Sequence, residues 1–171
     1  VFMTQLEQSL DAADTALSFA KEGGAITILN PAPAQPLGEN ILKLCDFVTP
    51  NEIEAEQITG IPVKSIIDAE IAAGKLLEKG AKAAVITLGE QGALFKDKNQ
   101  VIHQPSYEVG PVVETTGAGD AFNGGLAVAL AEEMPIDKAL RFACATASIS
   151  VTRQGTAPSM PDRNEIEILL K

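Results

Sequence analysis

Three short apolar runs, 25–29, 45–48 and 83–88, alternate with stretches of helical periodicity, and this alternation limits what the chain can become. Each run is strand-length, and Ala25-Ile26-Thr27-Ile28-Leu29 is of the type a strand buried on both faces requires. Leu6, Leu10, Ala13, Leu17 and Ala20 recur at helical spacing and predict a helix over 5–22, stopped by Gly23 and Gly24. Asn30-Pro31-Ala32-Pro33 forces an extended loop after the first run, and 38–43 reads as a short helix. Thr49-Pro50-Asn51-Glu52 reads as a helix start with Thr49 as N-cap, Pro50 in the first turn and Glu52 closing a capping box. That helix runs to Thr59 and ends at Gly60 and Pro62, and another fills 65–79 and closes at Gly80. Residues 89–92 form a turn, 93–97 and 100–104 pair as a hairpin, and helices follow over 118–133, 136–153 and 162–170. Strands alternating with helices predict one α/β domain over 1–171 with a mainly parallel sheet. Ligands of such sheets bind beyond the C-terminal strand edges, where Asn30, Asn51, Gly89 and Gly119 are expected to meet.

Composition narrows the function. The chain has 171 residues, 46% apolar and 21% charged, the balance of an ordinary soluble globule, and Trp is absent. A net charge of −10 argues against nucleic-acid and anionic-membrane partners, which need a basic face. A nucleotide is still admitted, because its phosphates can rest on backbone N–H groups and a metal. Cys45 and Cys144 are too few for a disulfide framework or zinc site and suit a reducing, cytoplasmic setting. No apolar run approaches the roughly 18 residues of a membrane span, and no signal peptide is visible. The chain begins at Val1, which points to processing or to a longer protein.

The chemistry concentrates in Glu114-Thr115-Thr116-Gly117-Ala118-Gly119-Asp120. Two glycines ahead of a carboxylate at a helix start make an anion cradle with an acid/base group beside it, which suggests phosphoryl transfer. The plain alternative is a tight turn into a closely packed helix, with Asp120 favouring the positive helix end. Neither a P-loop nor a complete dinucleotide-binding glycine pattern is present. Asn51 and Glu54 share a helix face, which on its own reads as a solvated acidic surface. Residues 87–92 read as a strand ending in a turn, Cys144 as a small buried residue, Ser159 as the N-cap of the last helix, and His103 as structural.

The segment from Glu114 to Asp120 resembles the second signature of the ribokinase family of sugar kinases, also called the phosphofructokinase-B family. The resemblance also covers Leu29-Asn30-Pro31-Ala32-Pro33-Ala34, the stretch from Thr49 to Glu56, Ile86-Thr87-Leu88-Gly89 and Val151-Thr152-Arg153-Gln154-Gly155. It implies a ribokinase-like three-layer α/β/α fold. It implies Asp120 as the base that takes the sugar proton, with the amides of Gly117, Ala118 and Gly119 as anion hole. Asn51 and Glu54 would then support Mg²⁺ and the ATP phosphates. Thr87, Leu88, Gly89, Glu90, Gln91 and Gly92 would line the nucleotide site, with Cys144 near the adenine. Glu7 would contact the sugar, for which ribose is preferred. A potassium-type site would draw on the Glu114 side chain, the carbonyls of Thr116, Ser150, Arg153 and Gly155, and the Ser159 hydroxyl. Glu114 stands where the family usually carries Asp, which questions potassium activation. The family's glycine-rich sugar motif, first strands and β-sheet lid have no counterpart here. The resemblance therefore implies a C-terminal nucleotide-binding part, expected alone to bind ATP weakly and phosphorylate nothing, whose dimer-forming lid lies elsewhere. A fructokinase, an adenosine kinase and a non-catalytic nucleotide-binding module are the alternatives.

Overall fold

The computed structural model describes residues 1–171, apart from the side chain of Glu39. The chain divides into two compact units, Val1–Leu88 with Leu94–His103, and Gly89–Ala93 with Gln104–Lys171.

The first unit carries the sheet. Strands β1 (Phe2–Thr4), β2 (Thr27–Leu29), β3 (Phe47–Val48), β4 (Ala83–Thr87), β5 (Ala93–Asp97) and β6 (Val101–Gln104) lie in sequential order. The first four run parallel, with Thr4 beside Leu29, Leu29 beside Val48, and Val48 beside Ala84. The short links from β4 to β5 and from β5 to β6 are too brief for a parallel crossover, so these pairs run antiparallel. Asp97 seals the second link by accepting from the amides of Asn99 and Gln100 at 2.7 and 2.8 Å.

Between the parallel strands run α1 (Leu10–Glu22), α2 (Glu39–Lys43), α3 (Glu52–Thr59) and α4 (Ile66–Glu78). Each of the two longest starts on a serine, Ser9 and Ser65, whose side chain accepts an amide of the first turn. Their inward faces (Ala13 and Leu17; Ala69, Ala72, Ala73 and Leu76) join Leu29, Val48, Ala84, Ile86 and Leu94 in one core. Small alanines let these helices lie close to the sheet. Asp46 ties the far end of β2 to its neighbours, accepting from the N–H and hydroxyl of Thr27 and pairing with Lys82 at 2.5 Å. Burial pushes its carboxyl up, but the bonds from Lys82 and Thr27 and the charge of Lys21 together hold it below the usual range.

The second unit holds α5 (Ala118–Ala131), α6 (Ile136–Ser150) and α7 (Arg163–Leu169). α5 packs along α6, and Gly125 is what permits it. A Cβ there would sit 2.7 Å from Thr146 Oγ1 and 3.0 Å from Ala143 Cα.

Five expectations need correction. The first helix starts at Leu10, not residue 5, because Ser9 caps it, and the residues before it form β1. Thr49 does not cap α3. Its N–H still donates to Leu29 at 2.9 Å as an extension of the ladder, so the cap falls to Asn51 and the box to Glu54. Gly119 does not follow a strand, since 105–116 contains no regular element. α6 ends at Ser150, where the Ser150 and Thr152 hydroxyls turn back onto the carbonyls of Ala147 and Ile149. Asp162, not Ser159, caps α7, in a box with Glu165.

Candidate active site

On the first unit, the loops after β1, β3 and β4 carry candidate residues. The Asn51 side chain accepts the Glu54 amide at 2.9 Å, and Glu54 Oε2 accepts the Asn51 amide at 2.9 Å. This reciprocal box holds the start of α3 rigid. It also places Asn51 beside Thr87, whose N–H donates to Pro50 at 3.0 Å. Glu54 is only 6% exposed. Burial raises its carboxyl above the usual range against the pull of the Asn51 amide, and the charge of Glu52 adds to the rise. Oε1 of Glu54 has no protein partner, yet no buried side-chain polar atom among the described residues is orphaned. That oxygen therefore keeps contact with water. Glu7 is exposed in the turn after β1, and Leu88 is buried at the end of β4.

On the second unit, Gly89–Gln91 forms a single 3-10 turn closed by the Gly92 amide on the Gly89 carbonyl at 3.1 Å. The Glu90 carbonyl accepts from the Ser106 hydroxyl. A Cβ on Gly92 would fall 2.0 Å from the Gln104 carbonyl oxygen, so no other residue fits. Glu90 and Gln91 are exposed. Cys144 is buried, burial pushes its thiol up to about 12, and its sulfur lies 3.8 Å from the Gln104 carbonyl oxygen.

The second unit also holds the glycine turn. Gly117 adopts φ +84°, and its missing Cβ would lie 3.3 Å from the Thr156 side chain. No side chain caps the 14-residue helix that follows. The Ala118 N–H donates to the Thr115 carbonyl at 3.1 Å, while the N–H groups of Gly117 and Gly119 meet no acceptor among the described residues. Asp120 is exposed on the first turn. Two open amides, the positive end of a helix and an exposed carboxylate have the chemistry to receive an anion beside a carboxylate. Asn123 was missed in the sequence. It is 1% exposed, and its Nδ2 donates to the Gly119 carbonyl at 2.9 Å, bracing the turn from behind. Its signal was an amide amid Ala121, Phe122 and Leu126, where an apolar side chain would suit the interior better.

Behind that turn, Glu114 reaches across 41 positions of sequence to accept the Gly155 amide at 2.8 Å. The Val151 carbonyl accepts from the amides of Val113 and Glu114, and the Ser150 carbonyl from Arg153. Ser159 is buried and donates to the Thr156 carbonyl at 2.6 Å, and Thr116 is exposed. Arg153 pairs with Glu165. The structure thus brings Glu114, Ser150, Arg153 and Gly155 into one bonded loop cluster.

Comparison with known proteins places this geometry. The profile of pfkB family carbohydrate kinases matches residues 3–163. The ribokinase of Haemophilus influenzae is 42% identical over 165 residues, covering 95% of this chain and 53% of the relative. The deoxyribokinase of Salmonella typhimurium is 38% identical over 162 residues, covering 94% and 53%. The chain therefore spans about half the length of these relatives. Among solved structures, Arabidopsis thaliana ribokinase complexed with ribose and ATP superposes with a TM-score of 0.95 at 33% identity, covering 99% of this chain and 55% of the other. The fold is ribokinase-like. The chain belongs to the pfkB family of carbohydrate kinases.

Proposed function

We propose that this chain carries the nucleotide-binding part of an ATP-dependent kinase that phosphorylates the primary hydroxyl of D-ribose. One observation carries the reading: α5 begins with open glycine amides and an exposed Asp120, with no side-chain cap. Asp120 accepts the proton of the sugar hydroxyl as its oxygen forms the new bond to the γ-phosphorus and ADP leaves. The amides of Gly117 and Gly119 hold the charge that collects on the transferring group, and the Ala118 peptide, fixed to Thr115, sets their angle. Phosphoryl transfer needs positioning and charge neutralisation more than a strong base.

Among the described residues no cluster of three or more His, Cys, Asp or Glu could hold a metal. That fits Mg²⁺ arriving on the nucleotide, because it keeps most of its waters and takes few protein oxygens. Bound there, Mg²⁺ neutralises the phosphate charge. The wet Oε1 of Glu54 and the Asn51 amide suit its water shell. The turn 87–92 and Cys144 are read as nucleotide-binding residues. The oxygen donors around Glu114, Thr116, Ser150, Arg153, Gly155 and Ser159 suit a monovalent cation such as potassium. Glu7 faces the sugar. The whole protein is read as a cytoplasmic homodimer joined through a lid.

The likeness to a deoxyribokinase keeps 2-deoxyribose in view as the acceptor. A panel of ribose, 2-deoxyribose, fructose and adenosine with ATP and Mg²⁺, with and without potassium, decides it on the full-length protein. Ribose is expected to turn over fastest, and Asp120→Asn to lose at least ~10²-fold, the usual scale for a positioned acid or base. Near-normal turnover by that variant would remove Asp120 as base, and turnover of no acceptor would leave a non-catalytic nucleotide-binding module.

A further inference from the structure

One more row of residues lies past the last paired positions of β1, β2 and β3. Thr4, Leu29 and Val48 stand in register, so Gln5, Asn30 and Thr49 come next. The Asn30 N–H continues the ladder by donating to the Thr4 carbonyl at 3.0 Å. Its side chain then bridges sideways in both directions. Nδ2 donates to the Thr49 carbonyl at 2.9 Å, and Oδ1 accepts from Gln5 Nε2 at 3.2 Å. Asn30 is 8% exposed, a depth at which an amide is costly unless both of its ends are bonded.

Two turns meet on this one amide. Turn 5–8 carries Glu7 and is also held by the Leu6 N–H on the Ala32 carbonyl at 2.7 Å and by Gln8 on Thr4 and Gln5. Turn 49–51 leads straight into the Asn51 cap of α3. We propose that Asn30 is a positioning residue that sets both turns at once, the one bearing Glu7 and the one bearing Asn51 and Glu54. Assigning the first turn to the sugar and the second to the nucleotide rests on the kinase reading; the brace itself does not. Asn30 bonds to neither Glu7, Asn51 nor Glu54, so it acts through Gln5 and Thr49.

The test uses the full-length protein, with Asn30→Leu and Gln5→Ala compared with the parent by backbone amide hydrogen exchange and by steady-state kinetics. In Asn30→Leu the amides of 6–8 and those of Thr49 and Asn51 are both expected to exchange ~3- to 10-fold faster, the scale of one net hydrogen bond, while those of β4 and α4 keep their rates. The KM values for sugar and for ATP rise together. Gln5→Ala, which spares Asn30 and its bond to the Thr49 carbonyl, loosens 6–8 and raises the KM for sugar. Quickened exchange in one turn only, in neither, or uniformly across the unit in Asn30→Leu overturns the proposal. So does an unchanged Leu6 amide in Gln5→Ala, which decides the matter if Asn30→Leu does not fold. Exchange needs no turnover: both turns loosening in a protein that phosphorylates no acceptor keeps the brace and removes the kinase reading.

Discussion

Gly119 has no reason within its own fold to be glycine. Its φ is not in the left-handed region, and a Cβ there would meet nothing within 4 Å. Alanine is the better helix former by about 1 kcal/mol. The position is bare toward whatever approaches the start of α5. Gly119→Ala is therefore expected to hold or raise the melting temperature while turnover falls, whereas Gly117→Ala loses stability through its φ of +84° and its 3.3 Å approach to Thr156. Unchanged turnover in Gly119→Ala would sink the claim that a phosphate sits against it. Glu54 makes the same argument through charge. Burial raises its folded-state pKa above the unfolded value, so its protonated form favours folding; that contribution is fully present below the unfolded pKa and is lost as pH rises through the folded one. At neutral pH the buried carboxylate is a cost. Glutamine keeps the oxygen that accepts the Asn51 amide. Melting curves across pH should find Glu54→Gln more stable than the parent near neutrality and equal to it in acid, with ATP-dependent turnover reduced. A less stable Gln variant at neutral pH would instead assign the carboxylate a structural role.

At the scale of elements, α5 contains two adjacent glycines with opposite reasons to be there. Gly125 lies where a Cβ would strike Thr146 Oγ1, and that hydroxyl is held in place by its bond to the Phe142 carbonyl at 2.7 Å. Gly124 opens onto empty space. Gly125→Ala should lower the melting temperature and Gly124→Ala should raise it, the latter by up to about 1 kcal/mol of helix propensity. Equal shifts would mean that α5 and α6 are not in close contact at that level. Elements fixed by their own residues were legible in the sequence. α4 could be read from Ser65 to Gly80, β4 from its apolar run, and the end of α3 from Gly60, which adopts φ +77°. Elements fixed by distant partners were not. Phe2–Thr4 is too short to show a period and is a strand only because β2 lies beside it. Thr49 and Asn51 are both good cap residues, and the choice between them depends on how far β3 stays on the ladder, which is a property of the sheet. The motif from Glu114 to Asp120 stood out because its residues are contiguous. Its bond to the Gly155 amide, 41 positions away, is invisible to spacing; the family resemblance grouped the two residues only as ligands of one cation.

At the scale of the whole molecule, charge sets a constraint that no single residue shows. The chain carries 23 acidic and 13 basic residues, for a net charge of −10. The proposed phosphate receptors are backbone amides and Asn51, and the one cation among the site residues, Arg153, is committed to Glu165. A basic cradle releases counterions when it binds phosphate, so its affinity falls as salt rises. Here the long-range field opposes an incoming anion and the short-range dipoles capture it. Salt screens the first and barely touches the second, because screening acts over distances near or beyond about 8 Å at physiological ionic strength. The KM for Mg²⁺-bound ATP should therefore stay level or fall as sodium chloride is raised toward roughly 0.15 M, with Mg²⁺ held saturating. The same series in the magnesium-free nucleotide, whose charge is larger, should show the steeper fall in dissociation constant, measured by calorimetry. A clear rise of KM with salt would place lysines or arginines at the phosphates, and the amide-based receptor at the start of α5 would no longer account for how this chain holds ATP.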